Sequence, residues 1–187
     1  MFSVTSNLKS IKFGDNFDTK NVKNMESMFS MNGELTSLDL SSFNTENVLN
    51  MKNMFASCLK LTSLNLSNFD TRKVENMEIM FNSCKELITV DLSNFDVSRV
   101  TLMGNMFYMN SKITSLDLSS FKTTEVKSMH NMFYHCESLS FLDISNFDGS
   151  NLQEMFRMFV SCKSLKSLDL SHFNTQNVDR MDYSYNF

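Results

Sequence analysis

The chain has no Pro, no Trp and only 4 Gly in 187 residues. Its loops are therefore not built from the usual chain breakers, and other residues must turn the backbone. No apolar run approaches the ~20 residues that span a bilayer, so no membrane span is expected. The opening MFSVTSNLKS has neither a basic n-region nor an apolar h-region, so no secretory signal is expected in this chain. Lys and Arg number 17 against 21 Asp and Glu, a net charge of −4. They are scattered, and without a basic stripe to neutralise phosphates nucleic acid is not an expected partner. The 3 His are isolated and read as surface variants. A Gly-rich phosphate loop, a nucleophile elbow and a paired catalytic carboxylate motif are all missing, so neither an enzyme nor a cofactor is expected.

What is present is a repeat. Leu35, Leu61, Leu87, Ile113, Leu139 and Leu165 follow one another at 26-residue steps. A fixed period in this range marks a solenoid whose coils bury their apolar sides by stacking on one another. A partial coil occupies residues 1–7, coils start at 8, 35, 61, 87, 113 and 139, and a partial final coil covers 165–187. The coil starting at Leu8 carries one extra residue, near Gly14-Asp15-Asn16, and the last copy degrades after Met181. Neither end reads as a polar cap, which implies a segment of a longer array or ends covered by partner molecules.

The repeat also explains the excess of Phe (18) and Met (16). Seven Phe fall in a ladder from Phe17 to Phe173, seven in another from Phe2 to Phe159, and fourteen Met fall in two further ladders. This is core packing. Within a coil, Leu38 and Leu40 alternate with Ser37, Asp39 and Ser41, the pattern of a short strand with one buried face. Val48, Met51, Met54 and Phe55 then follow helical spacing, with Thr45 placed as a cap and Glu46 in the first turn. The expected fold is an α/β repeat: a leucine-rich-repeat-like solenoid of about seven coils as a single domain, 1–187. A parallel sheet lies on one side and short helices on the other, and the crossover rule makes it right-handed.

The consensus LxxLDLSxFNTxxVxxMxxMFxxCxx, carried in full by Leu35 to Cys58, resembles the BspA-like leucine-rich repeat in its 26-residue, DUF285-like form, common in mycoplasma surface proteins. The resemblance covers essentially the whole chain and is weakest at Lys12-Phe13-Gly14 and after Met181. It implies a leucine-rich-repeat-like solenoid. It also implies a cell-surface or extracellular protein, often an adhesin, that binds host or matrix proteins or other cells. No catalytic residues come with it.

Three sets of residues are candidates for function. The first is the strand-face ladder Asp39, Asn65, Asp91, Asp117, Asp143 and Asp169, flanked by Ser. Stacked carboxylates ~5 Å apart repel by about 0.8 kcal/mol in water, so something must offset them. Either Asp–Ser hydrogen bonds pin a turn, or the ladder forms an acidic groove for a cation or a basic partner. The second is Phe141, which occupies a strand slot otherwise held by Ser or Thr and is a candidate contact residue. The third is a set of end-to-end contacts, Phe2, Tyr185 and Phe187, through which the chain would stack into filaments.

Cys58, Cys84, Cys136 and Cys162 share one slot with Thr5, Asn32 and Asn110. Stacked pairs lie within disulfide range, yet exchange with Asn points to buried free thiols in a tight turn. Spacings of 26 and 52 residues do not suit zinc. The leading function is a non-enzymatic protein-binding or adhesion module using the strand face. Its rival is a self-associating structural solenoid, and an intracellular scaffold is a third reading.

Overall fold

The computed structural model describes residues 2–5 and 7–182. Seven turns of chain stack in parallel. Their register is marked by single bridges that join Asn24, Asn50, Asn76, Leu102, Ser128, Glu154 and Arg180 in succession. Inside, the rings of Phe29, Phe55, Phe81, Phe107, Phe133 and Phe159 form a column, with centroids 5.8, 5.6, 5.5, 5.9 and 5.7 Å apart and planes within 11° of parallel. Around it the Met, Leu and Val ladders are buried in one continuous core.

The expected short helices are not there: among the described residues no helix forms. A helix needs each N–H to reach back four residues. From Met51 to Cys58 the N–H groups instead divide between two jobs. Those of Met51, Asn53, Phe55 and Ser57 donate to the next coil, to the carbonyls of Asn76, Glu78, Met80 and Asn82, at 2.9, 2.9, 2.9 and 2.7 Å. Those of Met54, Ala56 and Cys58 fold back three residues, to Met51, Asn53 and Phe55, at 3.2, 3.3 and 3.2 Å. The result is a run of linked turns whose side chains at 51, 54, 55 and 58 still face the core.

Closing those turns requires left-handed backbone at two positions in each coil. Asn53 has φ 60° and Ser57 φ 59°, and the same slots hold Ser27, Met31, Ile79, Ser83, Asn105, Met109, Asn131, His135, Arg157 and Ser161, all at positive φ. No Gly supplies this conformation. Asn tolerates it through local hydrogen bonding, whereas a β-branched residue is strained. Ile79, φ 62°, is a misfit, as is Val4, φ 63°, in the first coil. Ile79 also interrupts a row of side chains in which the Asn53 amide donates to Ser27 Oγ at 2.8 Å and the Asn131 amide donates to Asn105 Oδ1 at 3.1 Å. Ile79→Asn is expected to stabilise the chain by about 1 kcal/mol, read as a raised urea midpoint at unchanged slope.

Thr45 is likewise not a helix cap. Its hydroxyl accepts from Asp70 N at 2.8 Å and donates to Asp70 O at 3.0 Å, bridging to the next coil. Thr19, Thr71 and Thr123 make the same pair of hydrogen bonds to residues 44, 96 and 148. Val97 holds the slot between them, fully buried and unable to bridge to Lys122. Val97→Thr matches it in size and adds two hydrogen bonds. A gain of about 1–2 kcal/mol is expected, which for a chain of this length raises Tm by roughly 2–8 °C.

The strand side is less sheet-like than its alternation predicts. Among the described residues only β1 (Ser115–Asp117) and β2 (Phe141–Asp143) form regular strands, parallel, with Ser115, Leu116 and Asp117 opposite Phe141, Leu142 and Asp143. Asp39 Oδ1 accepts the N–H of Ser41 at 3.0 Å, and the same Asx turn recurs at Asn65, Asp91, Asp117, Asp143 and Asp169. Each such turn diverts an N–H that a longer strand would offer to its neighbour. A second row of Asx turns, at Asp18, Asn44, Asp70, Asp96, Asp148 and Asn174, rounds the next corner. These Asx turns do the bending that Pro and Gly do elsewhere.

Candidate binding face

The strand side presents outward positions 36, 37, 39, 41 and 42 and their equivalents one coil apart. From Thr36 to Asn146 these positions hold Asp, Asn, Ser and Thr, with Ile88 and Phe141 as the apolar exceptions and no Lys or Arg. The Asp ladder is first of all structural, because every member caps its own turn. That same bonding keeps the carboxylates ionised: hydrogen bonds from the backbone and side chain of the Ser two residues on hold Asp39, Asp91, Asp117 and Asp169 below the ordinary carboxylate value. Among the described residues no three His, Cys, Asp or Glu side chains come together to hold a metal ion.

Phe141 breaks the pattern physically as well as in sequence. The residue is 54% exposed, opposite Ser115 on the neighbouring strand. Beside it lies a shallow hollow of about 230 Å³ lined by Phe141, Leu142, Asp143, Ser145, Asp169 and His172, among others. The His172 ring folds back with Nε2 3.0 Å from the carbonyl of Ile144 and forms one wall.

The proposed end contacts fare differently. Phe2 is half-buried, stacked on Phe29 at 5.8 Å as the last ring of the column and in edge contact with Phe13 at 5.8 Å. Tyr185 and Phe187 lie outside the described residues.

All four cysteines are free, buried thiols. Each donates to the carbonyl of the Phe one coil back: Cys58 to Phe29, Cys84 to Phe55, Cys136 to Phe107 and Cys162 to Phe133, at 3.1–3.2 Å. The Asn110 amide does the same to Phe81 at 2.9 Å and the Asn32 amide to Phe2 at 2.7 Å, which is why Cys and Asn exchange in this slot.

The histidines are not idle surface variants. His130 lies across Gly104, where a Cβ would meet its Cε1 at 2.3 Å, and its other side stacks on Phe156 at 5.2 Å. Its Nδ1 is 2.7 Å from Ser128 Oγ and its Nε2 2.7 Å from the Asn105 amide, while Ser128 Oγ donates to Glu154 at 3.0 Å. Arg180 stands 4.1 Å over the Phe156 ring. His135 sits 3.2 Å from Glu137 and packs on Tyr134, itself stacked on Tyr108 at 4.9 Å. The sequence signal for this cluster was Gly104, a rare Gly in a slot where neighbouring coils carry Lys52 and Glu78. Ser128 bridges His130 and Glu154, and the cluster ties neighbouring coils together.

A family model described as "Mycoplasma protein of unknown function, DUF285" matches residues 1–115 and again 84–187. A crystal structure of a leucine-rich repeat protein from Bacteroides ovatus is similar to the chain at 17% identity and a TM-score of 0.42, over 95% of this chain and 56% of that one. The chain thus spans little more than half the length of that protein. No curated protein matches the chain.

Proposed function

The chain belongs to the DUF285 family of mycoplasma proteins of unknown function, and from that premise we propose that it is a non-enzymatic protein-binding module that works through its strand face. The observation that carries this reading is the face itself. Apart from Ile88, its outward side chains between Thr36 and Asn146 are short, polar or acidic and solvent-facing, on a backbone fixed by Asx turns, and one large ring, Phe141, stands up from them. A stiff surface with its side chains already positioned loses little freedom on binding. The finer reading is adhesion at the cell surface, with a host or matrix protein as partner. It draws support from the repeat's resemblance to surface proteins.

The test is surface plasmon resonance of the immobilised chain against fibronectin, laminin and collagen. The expected result is saturable binding to at least one of them. That binding should be lost in the triple variant Ser63→Arg, Ser115→Arg, Ser167→Arg and kept in Arg99→Glu, which changes charge on a different side of the coil. Equal binding by both variants sinks the strand-face reading, and no saturable binding by the unaltered chain sinks the matrix-protein reading.

A second reading, end-to-end self-association, rests on the half-exposed cluster Phe2, Phe13 and Phe17, whose rings pack on one another at 4.5–6.5 Å. Light scattering decides it. A mass that climbs with concentration supports stacking, and a constant 21.6 kDa ends it.

A further inference from the structure

The strand face is polar nearly everywhere, and one place on it is built differently. At the Phe141 hollow three features coincide. A phenyl face is open to solvent in a slot where Ser37, Ser63, Ser115 and Ser167 stand in other coils. Two carboxylates on adjacent coils, Asp143 and Asp169, line the same hollow. Neither carboxylate is in an ion pair: each accepts a backbone N–H, from Ser145 and Ser171 at 2.9 Å. Elsewhere on the molecule charge is compensated across the same inter-coil step, as in Glu34–Lys60, Lys52–Glu78, Glu86–Lys112 and Glu137–Lys163 at 2.6–3.0 Å. Asp91 and Asp117 stand unpaired on adjacent coils of this face as well, so what sets the Asp143 and Asp169 pair apart is the open ring beside it. Lys166 stands on the same face but does not line the hollow.

We infer that this hollow seats an arginine side chain of a protein partner, its guanidinium lying on the Phe141 ring between the carboxylates of Asp143 and Asp169. The inference rests on the strand-face reading above and names the chemistry of its anchor. A planar guanidinium suits the place better than an ammonium, because it stacks on an aromatic face and offers several N–H donors in one plane to carboxylates on either side. Both aspartates keep oxygen lone pairs free for it, since a carboxylate has about four acceptor sites and Asp143 uses one, for the Ser145 N–H, while Asp169 uses two, for the Ser171 N–H and hydroxyl. The wall formed by His172 closes the hollow on the side of the next coil and leaves the opening toward solvent.

The probe is the capped pentapeptide acetyl-Gly-Gly-Arg-Gly-Gly-amide, titrated into isotope-labelled chain and followed by two-dimensional NMR. Its citrulline analogue, equal in shape and uncharged, is the control. The expected result is saturable shifts confined to residues around Phe141, Asp143, Ser145, Asp169 and His172. Citrulline should produce at most a tenth of the affinity, and Phe141→Ser should weaken arginine binding at least fivefold. That variant restores the residue used at this slot in four other coils, so it leaves the fold intact, and its unchanged spectrum elsewhere verifies this.

Shifts spread evenly along the whole Asp ladder, equal binding of citrulline, or no effect of Phe141→Ser would each overturn the inference. So would the absence of any shift. These failures are separable from failure of the strand-face reading. If a matrix protein binds, is lost in the triple Arg variant, and is indifferent both to Phe141→Ser and to competing pentapeptide, the face binds protein and the arginine seat is wrong.

Discussion

Phe107→Ala is expected to cost about 4–6 kcal/mol and to split the unfolding transition. Phe107 is fully buried in the middle of the ring column, 5.5 Å from Phe81 and 5.9 Å from Phe133. Truncating a buried Phe to Ala costs about 3–5 kcal/mol in transfer and cavity terms. Two near-parallel ring contacts vanish with it, each worth about 0.5–1.5 kcal/mol beyond the area buried, with some overlap between the two accounts. The larger consequence follows from the architecture. In a solenoid each coil is stabilised mainly by its two neighbours, so weakening one interior interface uncouples the coils on either side. Urea unfolding of the variant should show a lower midpoint together with a lower apparent slope, or two resolved steps, as the halves melt separately. Phe2→Ala, at the half-buried end of the same column, removes one stacked contact and two looser ones with Phe13 and Phe17, and should leave a single transition shifted by about 1–2 kcal/mol. A Phe107→Ala variant that kept the original slope and lost no more than Phe2→Ala would mean that the column is not what couples the coils.

The two variants test the part of the fold that was plainest in sequence. The 26-residue period, the inward positions and the ladders of Phe and Met follow from spacing alone, because only inward slots are apolar in every coil. The exchange of Cys with Asn was enough to place free thiols in a turn, and the pairing of Asp with Ser two residues on was enough to suggest a pinned corner. What spacing could not reveal was the partner of each backbone N–H. Apolar residues at 51, 54, 55 and 58 fit a helix and fit equally a run of linked turns that keeps the same residues inward. The deciding fact, that alternate N–H groups cross to the next coil, belongs to the stack and not to any one repeat. One hint was available. Asn or Ser holds slot 53 in four of its described copies, Ser27, Asn53, Asn105 and Asn131, and these residues are poor helix formers but tolerate positive φ. Ile79 and Arg157 in the same slot masked the hint. The histidine cluster escaped for a related reason: Ser128, His130, Asn105 and Glu154 come from three different coils and are unremarkable in each. At the binding face the reverse holds. Phe141 was legible because it departs from its slot, while the hollow beside it depends on how His172 folds back, which no spacing encodes.

Raising the pH should unfold this chain through its cysteines. Each thiol donates to a main-chain carbonyl inside the core, an arrangement open to the protonated form alone. Burial therefore pushes Cys58 and Cys162 up from 9.0 to about 12, and Cys84 and Cys136 well above 9.0. In the unfolded chain the thiols ionise near 9, so between there and about 12 the folded state binds more protons than the unfolded one. Stability is then fully present below pH 9 and is lost as pH rises through that window, at about 1.4 kcal/mol per pH unit for each thiol. By about pH 10.5 each thiol has forfeited roughly 2 kcal/mol. Four together rival the 5–15 kcal/mol that holds a typical domain folded. Circular dichroism against pH should show cooperative loss of structure between about pH 10 and 11. Lys and Tyr also titrate there, so the decisive comparison is Cys84→Ala with Cys136→Ala in one chain. That variant starts less stable at neutral pH because it has two small cavities. Between about pH 8 and 10.5 it should nonetheless lose about 4 kcal/mol less than the unaltered chain, because two of the four ionising groups are gone. Equal losses over that range would place the alkaline transition on other groups and would mean that the thiols are not held in the protonated form by the fold.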